Sequence, residues 1–193
     1  VWAIRHSGDG HREARQHHWG LIPFWAKDPK IGYKLINARS ETVLEKPSFR
    51  DAFKSRRCLI PADGFYEWKR SGNDKRPFSF GMKDDSVFAF AGLWEHWKAP
   101  DGKVIESCTI LTTTPNQLLK DIHDRMPVIL PRQHYAAWLD SSLAQPDALL
   151  DLLVPFDARQ MKRCEVSAIV NNATNENPEC AQPLEGKAAG ALG

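Results

Sequence analysis

Paired cysteines are missing: the 193 residues hold four cysteines, at 58, 108, 164 and 180, and none forms a CxxC pair. That is too sparse for a disulfide scaffold, and it predicts reduced thiols and a cytoplasmic protein. Long apolar runs are missing too. The stretch from Val87 to Trp94 falls far short of the roughly 20 residues of a membrane helix, and no basic start leads into an apolar signal segment. The interior has no linker, repeat or low-complexity tract, so one domain over 1–186 with a Gly/Ala tail over 187–193 is the expected organisation. At 42% hydrophobic and 26% charged residues the composition is that of a globular protein, which excludes collagen-like, coiled-coil and disordered classes.

The net charge of +2 is unevenly spread. Residues 1–80 carry 16 Lys and Arg against 9 Asp and Glu, a net +7, and residues 81–193 carry 10 against 15, a net −5. A chain touching phosphate on one side would show this, and so would an internally paired surface. Short runs rich in aromatic and β-branched residues predict strands over 17–21, 58–60, 65–69, 77–82, 87–93, 104–112 and 166–169. Helical turns are predicted from Ser48 through Lys54 and over 116–120, 132–139 and 147–153, the last three each following a proline. The fold class expected is α+β, with a mostly antiparallel β-barrel-like core and short peripheral helices.

Three segments carry polar residues that local structure does not require. In Leu35–Thr42, an extended backbone puts Asn37 and Arg39 on one face. Asn37 could orient a reacting group and Arg39 could bind phosphate, or the pair could simply make a turn and an Arg39–Glu41 ion pair. In Pro61–Lys69, Glu67 shares a strand face with Phe65; a carboxyl among rings and short of water has a raised pKa, whereas an exposed one would pair with a lysine. In Leu119–Val128, His123 stands between Asp121 and Asp124 in a loop position suited to proton transfer, with Arg125 as a second phosphate ligand, or it makes a structural hydrogen bond only. Together the amide, carboxyl and imidazole make a plausible acid/base set.

Other features are weaker. His6, His11, His17 and His18 match no metal-ligand spacing and read as surface residues, so no metal or cofactor is expected. Cys58 and Cys108 read as small buried hydrophobes, and Trp19 as a core residue. The Pro23-Phe24-Trp25 loop in the basic half offers a stacking face for an unpaired base, an interaction worth about 1–3 kcal/mol, although interior packing is the commoner fate of tryptophan.

Taken in order, Trp19-Gly20-Leu21-Ile22-Pro23, Ile36 to Thr42, Arg57 to Trp68 and Asp121 to Leu130 resemble the SOS-response-associated peptidase (SRAP) family, and Val166 to Asn172 and Gln182 to Leu184 look like its closing strand and tail. The resemblance implies a protein that recognises abasic sites in single-stranded DNA, notably beside a duplex junction, as a monomer with no membrane partner. It implies covalent attachment through an N-terminal cysteine, whose amine forms a Schiff base with the opened sugar and whose thiol closes a thiazolidine, and an autopeptidase activity at the same terminus. Matching residues assigns Asn37 to orienting the cysteine and sugar, Glu67 to ring opening, His123 to proton transfer and crosslink reversal, and Arg39 and Arg125 to phosphate. The family's Cys-Gly-Arg start and Asn-Val-Ala-Pro loop do not occur here; with Val1 already in a strand-like pattern, the expectation is that some tens of residues lie upstream and that this chain is inactive without them, the alternative being a paralogue that has lost the reaction. A non-catalytic single-stranded nucleic-acid binding module and a cysteine peptidase acting on other proteins are the alternatives.

Overall fold

A computed structural model describes residues 1–7, 10–72, 74–142 and 146–184; the tail expected from 187 onward lies outside the described residues. Among them are twelve strands and two short α-helices in chain order: β1 (Trp2–His6), β2 (Arg12–Gln16), β3 (His18–Trp19), β4 (Asn37–Arg39), α1 (Arg50–Ser55), β5 (Arg57–Ala62), β6 (Phe65–Ser71), β7 (Asp74–Met82), β8 (Phe88–Lys98), β9 (Val104–Thr113), β10 (Met126–Pro127), β11 (Ile129–Leu130), α2 (Tyr135–Leu139) and β12 (Met161–Glu165). The fold class is α+β, mostly antiparallel sheet with short helices, as expected. The chain divides into two compact units, one of 1–61, 88–113 and 127–154, the other of 62–87, 114–126 and 155–193. No helix among the described residues is long and apolar enough to cross a membrane.

The first unit is organised by two long strands. β8 and β9 pair antiparallel from Gly92↔Ile110 to Lys98↔Val104, and each shares its outer edge among several short strands. β9 takes β3 and then β4, both parallel, while β8 takes β5 and β11, and β5 leads on through β1 to β2. Beneath the sheet Phe53, Trp138, Leu21, Leu93 and Leu111 are essentially inaccessible to water, each side chain stabilising the fold by about 1.5–3 kcal/mol. Phe53 and Trp138 meet edge to face at 5.8 Å. The buried Arg57 guanidinium ties α1 to α2 by donating to the carbonyls of Phe53, Lys54, Trp138 and Asp140, which satisfies a cation that would otherwise be costly to bury.

Glycine at two positions allows close backbone approach. A Cβ on Gly20, whose φ is +124°, would lie 2.6 Å from the Gly32 carbonyl oxygen, so the loop between β3 and β4 folds tightly only with glycine at both contacts.

The second unit is a three-stranded antiparallel sheet in the order β12-β7-β6. The β6–β7 hairpin runs in register from Phe65↔Phe80 to Ser71↔Asp74, and β12 lies on the other edge of β7, from Met161↔Met82 to Glu165↔Phe78. Opposed residues on neighbouring strands share a face, so Phe65, Phe80 and Arg163 form one row and Glu67, Phe78 and Glu165 the next.

Several expectations need correction. The predicted strand 166–169 is instead one isolated bridge, Val166 to Pro183, followed by a 3-10 turn over Ala168–Asn171 whose entry Ser167 caps through its hydroxyl. The strand sits just before it, at β12. Residues 116–120 form turns rather than a helix, and the helix expected over 147–153 is a 3-10 helix, Pro146–Leu152. Trp19 is not a core residue: it is 45% exposed, and its indole N–H donates to the Ile36 carbonyl. His17, expected on the surface, is buried, its ring in a T-shaped contact with Trp94.

Candidate active site

Glu67 leaves the middle of β6 on the side occupied by Phe65, whose ring stacks on Phe80 at 5.2 Å. The Glu67 side chain is only 21% exposed. Burial pushes its pKa up; the neighbouring His123 and the Trp68 backbone N–H pull it down, and Asp124 adds to the rise. A carboxyl so placed holds its proton closer to neutrality than an exposed one, as a proton donor or acceptor requires. The alternative of a Glu67–Lys69 pair is not realised, because Lys69 is engaged elsewhere.

His123 reaches this carboxyl from the far-separated loop 114–125. Its Nδ1 lies 4.0 Å from the Glu67 Oε2 and 3.4 Å from the Asp124 Oδ1. At 4.0 Å the two catalytic candidates are neighbours without a direct hydrogen bond, so each remains able to meet a substrate atom. The backbone of Arg125 serves the same ring nitrogen in both protonation states. Its N–H lies 3.1 Å from Nδ1 and donates to it when the ring is neutral, and its carbonyl, at 3.2 Å, accepts when Nδ1 carries the proton. The imidazole can therefore gain or lose a proton without leaving its place.

A second pairing runs beside the first. Two residues along β6 from Glu67, the Lys69 ammonium faces the Asp121 carboxylate at 3.8 Å, two residues back along the loop from His123. Arg163 on β12 holds the other oxygen of Asp121 at 2.6 Å and so keeps its pKa low. On the opposite face of β6, Trp68 donates to Asn171 at 2.7 Å and lies under the Lys75 ammonium.

In the first unit, β4 presents Asn37 and Arg39 outward on either side of the buried Ala38, the alternation its sequence predicts. It is held by parallel pairing to β9, Asn37↔Ile110 and Arg39↔Thr112. The 23–25 loop is built to display its rings. Pro23 is buried and its carbonyl accepts the Ala26 N–H, closing the turn; Ile22, Ala26 and Trp97 pack together beneath it, and the Trp97 indole donates to the Ala26 carbonyl at 2.6 Å. Phe24 and Trp25 are left 56% and 47% exposed. Tyr33, 74% exposed just before β4, is a further ring the sequence did not single out; its position among Lys30 and Lys34 was the available signal.

Within the second unit the structure thus brings together Glu67, His123 and the Arg125 backbone, and within the first it sets Asn37 beside Arg39 and Phe24 beside Trp25. Cys58 and Cys108 are buried; burial raises both thiols, that of Cys108 to about 12, so neither offers a thiolate. No group of three or more His, Cys, Asp and Glu residues able to hold a metal occurs among the described residues.

The family model for SOS response associated peptidase (SRAP) matches residues 1–173. The chain belongs to the SRAP family. It is similar to the Bacillus subtilis abasic site processing protein YoqW, at 54% identity over 162 residues, 83% of this chain and 72% of the relative. It is also similar to YoaM of the same organism, which bears the same descriptive name, at 50% over 180 residues, 93% of this chain and 79% of the relative. A crystal structure of a protein from Bacteroides thetaiotaomicron matches with a TM-score of 0.84 at 33% identity, over 94% of this chain and 80% of that one. The SRAP match takes in both the Asn37–Arg39 and the Glu67–His123 segments.

Proposed function

We propose that this protein processes abasic sites in single-stranded DNA, as a single-domain, monomeric cytoplasmic protein, and that a form extended upstream of Val1 to an N-terminal cysteine crosslinks to the lesion. The Glu67–His123 pair carries this reading: a semi-buried carboxyl beside an imidazole that is supported in both protonation states is what the reaction needs. Opening the hemiacetal moves a proton from the sugar hydroxyl to the ring oxygen, a task for Glu67. Addition of the cysteine amine to the aldehyde gives a carbinolamine, which loses water to form the iminium, and the thiol then adds to the iminium carbon to close the thiazolidine. His123 serves the proton transfers of these steps and of their reversal. Asn37 orients the sugar and the cysteine, Arg39 and Arg125 hold flanking phosphates, and Pro23, Phe24 and Trp25 supply the loop on which an unpaired base stacks. A junction with duplex DNA is the preferred setting, and autocatalytic processing would use the same terminus.

The relatives' name as abasic site processing proteins supports the substrate. The test mixes the cysteine-terminated form with oligonucleotides holding one abasic or one intact nucleotide and follows covalent adducts on denaturing gels. An adduct with the abasic strand alone is expected, slowed about 10²-fold or more by Glu67→Gln or His123→Ala. Equal binding of both strands with no adduct would favour a nucleic-acid binding module. Digestion of a generic protein substrate that needs the terminal cysteine would favour a peptidase.

A further inference from the structure

The geometry points to Arg163 as a positioning residue for His123, acting through the turn that carries it; this inference rests on the proposed role of His123. Residues 116–123 form one hydrogen-bonded unit. The Asn116 side chain accepts the Leu118 and Leu119 N–H groups and donates to the Phe156 carbonyl, and the Leu119 carbonyl accepts the N–H of Ile122 at 2.8 Å and of His123 at 3.0 Å. Leu118, Leu119 and Ile122 bury its apolar side. On its polar side one nitrogen of the sheet holds this turn at two points. Nη1 of Arg163 donates to the Leu118 carbonyl at 2.7 Å and to the Asp121 carboxylate at 2.6 Å, while the second Asp121 oxygen faces Lys69.

Arg163 and Lys69 thus grip Asp121 from the two outer strands of the sheet, β12 and β6, and His123 follows two residues on. Its ring faces Glu67 from β6 and Asp124 from its own loop. Because the turn is internally bonded, a shift at Asp121 is passed to His123 rather than absorbed between them. Arg163 was missed in the sequence because nothing in Met161-Lys162-Arg163-Cys164 marks it; only the pairing of β12 with β7 puts it in the row of Phe65 and Phe80.

A double-mutant cycle tests the assignment, measured as the rate of abasic adduct formation by the cysteine-terminated form. Arg163→Ala is expected to slow the reaction about tenfold, in keeping with the sensitivity of proton transfer to small misplacements. Arg163→Lys, which keeps a cation in reach of Asp121, should restore most of the rate. In a His123→Ala background, Arg163→Ala should cost nothing further. An equal loss in both backgrounds, or no loss from Arg163→Ala where His123→Ala is slow, overturns the inference and leaves the function standing; a normal rate in His123→Ala removes both. Should Arg163→Ala fail to fold, Asp121→Asn replaces it in the same cycle, with the Arg125 amide, which donates to His123, expected to exchange its hydrogen faster.

Discussion

Glu67 shows how one residue combines two demands. As an acid/base group it needs to keep a proton near neutral pH, and its burial favours this by withholding water. The consequence for stability has a definite sign. Its folded-state pKa stands above the ordinary 4.5, so between the two values the folded protein holds a proton that the unfolded chain has released. Stability then falls as pH rises through that window, and above it the full cost of a buried carboxylate is carried. Glu67→Gln, which keeps the shape and removes the ionisation, should therefore raise the melting temperature at pH 7. The gain should vanish below about pH 4, where the wild-type carboxyl is protonated in both states. Thermal melts at pH 3.5 and 7 check this, and a variant equally stabilised at both would show that burial of the charge is not the cause.

At the level of elements, the parts readable in sequence are those where composition and environment agree. The aromatic and β-branched runs of β6, β8 and β9 announced strands, and the Asn37-Ala38-Arg39 alternation correctly placed its two polar side chains on one face. β12 was not readable: Met-Lys-Arg-Cys-Glu has no strand preference of its own, and its conformation is imposed by the free edge of β7. Nor was the meeting of Glu67 with His123, which depends on how a loop from 114 onward packs against a hairpin formed much earlier in the chain. In the first unit, Gly92 gives a test of how closely β8 packs on β5. A Cβ there would stand 2.8 Å from the Ile60 Cδ1 and 2.9 Å from the Cys58 Sγ, at the crossing of β8 and β5. Both neighbours are buried, so neither side chain can swing into water. Gly92→Ala should destabilise the protein by about 1–3 kcal/mol, the cost of overpacking a filled core, in chemical denaturation; an unchanged midpoint would mean that the two strands separate more easily than their burial implies.

For the molecule as a whole, the question is how much of the positive charge in residues 1–80 is available to DNA. Several of these arginines are already committed: Arg5 to Glu13 and Glu106, Arg56 to Glu95 and Arg76 to Glu165. Arg57 is buried among carbonyls. Among the described residues Lys27, Lys30, Lys34 and Arg39 form no ion pair, and all four are exposed on the chain segment that also carries Phe24, Trp25 and Tyr33. Internal pairing thus removes part of the charge on the sheet, and these four cations are set apart by being interleaved with exposed rings, as a single strand of nucleic acid would need. Each phosphate contact to single-stranded DNA contributes about 0.7 to the slope of log affinity against log salt. Arg39→Ala should therefore lower that slope by about 0.7 and weaken binding of an abasic oligonucleotide several-fold at low salt, with the gap closing as salt rises. Fluorescence anisotropy from 50 to 300 mM salt measures both quantities, and an unchanged slope would place Arg39 outside the DNA path, leaving the lysines of 27–34 to account for the affinity.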